Sequence, residues 1–197
     1  MRSKESKTDL FDYNCDFSFR TIWLGSETVS RNGDESGVDA ALAERAVKAI
    51  YLLDKAAPSG DKPINILLNN PGGDVIHCAA IYDAIRCARN EIIITVYGMA
   101  MSAGSIILQA ANKRILTPSS TVMIHEGEGG FYGHPKNIEN WIKHAKRVDK
   151  WAADIYLQRI REKHPSYKLK DLQKLLTFDT ILTAEEAVEL GLADEIL

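Results

Sequence analysis

"GMAMSAGSII", residues 98 to 107, joins two kinds of pattern. Upstream, "EIIITVYG" (91 to 98) is short, apolar and β-branched, as a buried strand is. Downstream, "AGSIILQAAN" can continue as a helix. Ser102 therefore stands at a strand-to-helix turn. There the first amides of the helix have no intrahelical acceptor and carry the positive end of its dipole. Such amides stabilise a developing oxyanion, and the Ala103 N–H is a candidate for that task. The spacing is a loose nucleophile elbow, because Ala100 stands where G-x-S-x-G has its first glycine. A serine here also serves as a helix N-cap, and the motif alone leaves both readings open.

Outward from this turn, "RTIWLG" (20 to 25), "INILLNN" (64 to 70), "KRILT" (113 to 117) and "TVMIHE" (121 to 126) also read as strands. Helical patterns lie between them. "GVDAALAERAVKAIYLLDKAA" sets Val38, Ala41, Leu42, Ala46, Ala49, Ile50 and Leu53 on one face, and "DVIHCAAIYDAIRCARN" repeats the pattern after Pro71-Gly72-Gly73. This order is α/β, with strands buried under helices on at least one side. Gly72-Gly73 ends a strand as Ser102 does, and a glycine pair lets backbone approach a substrate, so the Gly73 N–H is a second oxyanion candidate. "SRNGDESG" (30 to 37) reads as a surface loop.

From 136 to 162 the pattern changes. Ile138, Trp141, Ile142, Ala145, Val148, Trp151, Ala152, Ile155, Tyr156 and Ile160 recur at three- and four-residue steps, the mark of one amphipathic helix. Its length would be roughly 40 Å, more than a domain of this size spans, so part of it should project. An apolar stripe carrying Trp141 and Trp151 then calls for a partner subunit, the alternative being a helix that lies wholly across its own sheet.

Composition narrows the classes. A chain of 197 residues at 45% hydrophobic content suits one well-buried domain. The net charge of -3 comes without a block of like charge, which argues against nucleic acid and against a polybasic membrane patch. Cys15, Cys78 and Cys87 are odd in number and form no CxxC pair. Each reads as a small buried thiol in a reducing compartment, with no disulfide framework and no metal site. Without an apolar signal core or a stretch of ~20 apolar residues, a soluble, cytoplasmic protein is expected.

A nucleophilic serine needs a base, and the base an orienting group. Of the five histidines only His125 ends an apolar strand. His77 begins a helical pattern, and His134, His144 and His164 read as solvated. His125 equally suits a hydrogen-bonded structural role. For the acid, Asp179 in "LLTFDTILTAEEA" falls between a short helix and a Thr183 N-cap, where a plain turn aspartate is also common.

"NNPGGDV", "GMAMSAGSIILQAANKRILTPSSTVMIHEGEGG" and "DTILTAEEAVELGLADEIL" resemble, in order, three signature regions of the proteolytic subunit of ClpP-type (caseinolytic) serine proteases. The resemblance covers most of residues 20 to 197. It implies a ClpP/crotonase-like fold of repeated β-β-α units, one domain over 20–197 after an N-terminal axial segment at 1–19, with a long handle helix at about 136–162. By the same resemblance Ser102 is the nucleophile, His125 the general base and Asp179 the acid. Gly73 and Ala103 supply the oxyanion hole. Gly72, Glu126, Gly127, Glu128 and Gly129 bind substrate, and Glu126 to Phe131 forms the strand along which a peptide lies. The implied activity is endopeptidase cleavage of unfolded polypeptides or short peptides inside a barrel of two stacked heptameric rings. No cofactor is implied. ATP would be used by an AAA+ ATPase unfoldase partner, since the chain lacks a G-x-x-x-x-G-K-[ST] loop.

The chain departs from that family's pattern at four places. Glu126-Gly127-Glu128 stands where a glutamine, a proline and an apolar residue are usual, and Thr180 where an arginine makes ring-to-ring contacts. The loop around Asn112-Lys113-Arg114 is short, and the segment up to Phe19 lacks the axial-gate pattern. Three rivals share parts of the reading: acyl-CoA hydratases and isomerases of the same fold, Ser–Lys signal-peptide peptidases, and a catalytically silent ring subunit.

Overall fold

The computed structural model describes residues 14–25 and 37–197. Strands β1 (Cys15–Asp16) and β2 (Thr21–Leu24) come first, and helix α1 (Ala40–Ala56) leads to β3 (Ile64–Asn70). Helix α2 (Val75–Cys87) leads to β4 (Ile92–Met101), and α3 (Ala103–Gln109) to β5 (Lys113–Leu116) and β6 (Thr121–Ile124). The long α4 (Pro135–Lys163), α5 (Leu169–Leu176), β7 (Thr180–Thr183), α6 (Ala184–Leu190) and β8 (Glu195–Ile196) complete the order. Residues 1–13 of the expected axial segment, and 30–36 of the expected surface loop, lie outside the described residues.

The sheet runs β1-β2-β3-β4-β5-β8, parallel from β2 onward. On β3, Ile64, Ile66, Leu68 and Asn70 are buried and alternate with half-buried neighbours, so one face meets the core fully. Asp39 caps α1 by accepting the Leu42 N–H at 2.8 Å, and Asp74 caps α2 by accepting from Ile76 and His77, each worth about 1 kcal/mol. The buried face of α1 holds Leu42, Ala43, Ala46, Ala49, Ile50 and Leu53; Ala41 is exposed, in register with exposed Lys48 and Leu52, and Val38 precedes the helix in a bridge to Gly73.

The strand expected to end at Gly98 continues to Met101. Gly98 has φ 92°, and at this pivot β4 changes partner. Residues Ile93 to Val96 pair with β5, whereas Met99 to Met101 pair with β6. Strand β7 then returns antiparallel along β6. The fork carries the end of β6 to the end of β4, beside Ser102.

Helix α4 has 29 residues, roughly 44 Å of rise. Its buried residues, Ala153, Ile155, Tyr156, Leu157 and Ile160, all lie in the C-terminal half, while Trp141 and Ile142 are exposed. The N-terminal half holds no buried residue. Trp151 departs from the expected stripe: it is half-buried and meets Tyr82 of α2 edge-on at 5.4 Å, within its own chain. Cys87 is exposed rather than buried, at the end of α2, whereas Cys15 and Cys78 are buried. Burial pushes the Cys78 thiol up to about 12, which makes it inert. Among the described residues, no helix is long and apolar enough to cross a membrane.

Candidate active site

Ser102 sits at the turn from β4 to α3 with φ 51° and ψ -121°, a positive-φ conformation that costs a serine about 1–3 kcal/mol. The surroundings hold it there. Its N–H donates to Met123 O at 2.9 Å, and its carbonyl accepts from the Ser105 and Ile106 amides and from Ser105 Oγ at 2.7 Å. Its side chain makes no capping hydrogen bond. Instead Ser102 Oγ lies 2.7 Å from His125 Nε2.

The β6–β7 ladder ends at Ile124↔Thr180, and one further antiparallel step sets His125 opposite Asp179. His125 Nδ1 is 3.0 Å from Asp179 Oδ1, with the imidazole mostly buried and the carboxylate 64% exposed. Nδ1–H donating to that carboxylate leaves Nε2 as the basic nitrogen, facing the serine hydroxyl. The expected Thr183 cap is present as a capping box with Glu186, which fixes the turn after β7.

Gly72 and Gly73 have φ 108° and 137°. A Cβ on Gly72 would lie 2.7 Å from Ser102 Cβ, and one on Gly73 would lie 2.5 Å from Val38 N. Only glycine fits at either position. The bridge to Val38 uses Gly72 O and the Asp74 N–H, which leaves the Gly73 N–H out of it. Buried Asn70 sets the turn by accepting the Gly72 N–H at 2.9 Å.

A cavity of about 490 Å³ opens beside these groups. Gly73, Ser102, Ala103 and His125 line one end, Glu126, Gly127, Glu128, Gly129 and Phe131 one wall, and the α4 face of Trp141, His144, Val148, Asp149 and Ala152 another. Gly72 is not in the lining; it is buried behind Ser102. Glu126 to Phe131 forms no strand, since among the described residues its amides meet only Leu176 O and Asp149 Oδ1 rather than a neighbouring strand. His144 is exposed, as expected, and it also lines the cavity, standing edge-on to Trp141 at 5.9 Å. Asn70, Ser105, Asp149 and Tyr156 also shape the site without having been singled out for it in the sequence. For Asn70 a signal was available in the polar pair preceding Pro71.

Chemically, an O–H directed at an imidazole, an imidazole N–H directed at a carboxylate, and two backbone amides at one end of a cavity suit acyl transfer. Among the described residues, no three of His, Cys, Asp and Glu converge so as to hold a metal ion. The family model for Clp protease matches residues 34–197. The ATP-dependent Clp protease proteolytic subunit of Deinococcus radiodurans is 33% identical over 162 residues, which is 81% of this chain and 76% of that protein.

Proposed function

The chain belongs to the Clp protease family and is a serine endopeptidase, and we propose that it cleaves peptide bonds through an acyl-enzyme on Ser102. One observation carries this reading: His125 bridges Ser102 Oγ at 2.7 Å and Asp179 Oδ1 at 3.0 Å. His125 takes the hydroxyl proton as Ser102 attacks, then returns it to the leaving amine. Asp179 keeps the imidazole in the tautomer that does so. The Gly73 and Ala103 amides receive the oxyanion. A peptide laid along Glu126 to Phe131 supplies the hydrogen bonds that this segment lacks in its own chain.

Assembly follows the same reading. The exposed Trp141 and Ile142 on the N-terminal half of α4 support a homo-oligomer of two stacked heptameric rings. The name of the Deinococcus relative includes ATP dependence, which supports an AAA+ ATPase unfoldase as partner. Unfolded polypeptides or short peptides are then the substrates, in the cytoplasm. The test is labelling with a neutral fluorophosphonate, followed by mapping of the modified residue. Modification of Ser102, lost in His125→Ala, is the expected result. Labelling at Ser105, or none in an assembled protein, overturns the assignment.

A further inference from the structure

The cavity beside Ser102 carries charge that acyl transfer does not use. Asp74, Glu126, Glu128 and Asp149 line it, and among the described residues no Lys or Arg does. Asp74 is engaged at the start of α2, where its Oδ1 accepts the Ile76 and His77 amides. Glu126 and Glu128 are exposed on the rim, so salt screens them.

Asp149 is different. It is half-buried on α4, and among the described residues its one hydrogen bond is a long one, from the Gly127 N–H at 3.3 Å, with no ion pair. Around it the same helix face offers Trp141, Ala145, Val148 and Ala152 to the cavity. A carboxylate set in an apolar wall matches one kind of side chain: a long aliphatic stem ending in a cation. An apolar side chain would cover the wall but strip water from Asp149 without replacing it. An acidic one would meet like charge.

We infer that this cavity receives a lysine or arginine side chain from the residue whose carbonyl Ser102 attacks, with Asp149 as the residue that selects it. The inference rests on Ser102 being the nucleophile. Carbonyl carbon and Cα of the attacked residue are bonded neighbours, so its side chain enters the same cavity whose end holds Ser102, Gly73 and Ala103. The departure at Glu126-Gly127-Glu128 has the same sign, because it adds two carboxylates to the rim.

The test compares kcat/KM for peptides that differ only in carrying Lys, Met or Glu before the scissile bond. It is run on the full chain, alongside neutral fluorophosphonate labelling. The expected result is a Lys-to-Met ratio of at least about tenfold, the worth of one charge-assisted hydrogen bond, that falls toward one in Asp149→Asn. A native ratio near one, with Ser102 still labelled, overturns the basic preference and leaves the nucleophile standing. Absence of labelling at Ser102 overturns both. An Asp149→Asn chain that keeps the native ratio overturns the role of Asp149. Should that variant fail to fold, Asp149→Lys decides: a preference turned toward the Glu peptide supports the inference, and an unchanged order refutes it.

Discussion

The Tyr156 hydroxyl lies 2.6 Å from Ser105 Oγ, and Ser105 Oγ donates in turn to Ser102 O at 2.7 Å. Since the Ser105 proton is used on that carbonyl, Tyr156 is the donor in the first bond. Burial holds its phenol above the usual tyrosine range, so it keeps its proton. A hydrogen-bonded chain thus runs from the C-terminal half of α4 to the backbone of the residue under strain at the β4–α3 turn. In Tyr156→Phe the packing is kept and one bond of the chain is lost. We expect kcat to fall roughly tenfold with KM little changed, and Ser105→Ala to do the same. The double variant should fall no further, because the two residues act through one path. Additive losses in steady-state kinetics would mean that the two act separately.

Ser102 itself offers a test of stored strain. At φ 51° the serine pays a backbone cost that glycine avoids. Ser102→Ala and Ser102→Gly should both lose activity by about 10⁶-fold, as members of a triad fail as a unit. In urea unfolding, however, the glycine variant should exceed the alanine variant in stability by about 1 kcal/mol. Equal midpoints would show that the turn is relaxed.

What the sequence disclosed follows from range. The β-branched runs and most of the helical faces are local and appear where the periodicity puts them, apart from Ala41, Val38 and ends that depend on partners. Gly98 reads as a stop because glycine usually is one, yet here it lets β4 leave β5 and join β6. The meeting of His125 with Asp179 depends on β6 pairing with β7 across the intervening α4 and α5, a contact that no local pattern encodes. Trp141 and Trp151 belong to one expected helical stripe, yet Trp151 is half-buried against Tyr82 whereas Trp141 is exposed beside Phe131, partners that no local pattern encodes. Asp149 reads as one more charge on an amphipathic helix until the cavity beside it is seen.

Asp54 links the end of α1 to the turn before β4. Its Oδ1 accepts the Arg89 N–H at 2.8 Å, the Asn90 N–H at 3.0 Å and the Asn90 side-chain amide at 2.8 Å. Burial alone would raise its pKa, and these bonds together outweigh burial and lower it from 3.8 to about 2. A group depressed on folding stabilises the native state above its unfolded pKa, and loses that contribution as pH falls through its folded one. Asp54→Asn should therefore cost on the order of 1–2 kcal/mol at neutral pH. The gap between variant and native protein should close between about pH 4 and pH 2. A gap independent of pH in denaturant titrations would assign the effect to shape rather than charge.

Under the proposed assembly, ring stacking would fall on the handle. By the family resemblance Thr180 stands where an inter-ring arginine is usual, and its hydroxyl is engaged internally, donating to Leu175 O at 2.6 Å. Threonine has no charge with which to pair across rings, so in the proposed assembly the exposed apolar residues of α4 would carry that contact. Trp141 is a poor probe of it, because it also stacks on Phe131 at 6.4 Å and lines the cavity. Ile142 is the clean one: it is 42% exposed and does not line the cavity. In sedimentation the native chain should run as fourteen subunits, and Ile142→Glu, by placing a charge where apolar surfaces meet, should yield rings of seven. Raised salt should leave the native assembly intact, since an apolar contact is not screened as an ion pair is. A native chain that sediments as an active monomer would remove the handle from any role in assembly, and a variant that stays at fourteen would move the contact off Ile142.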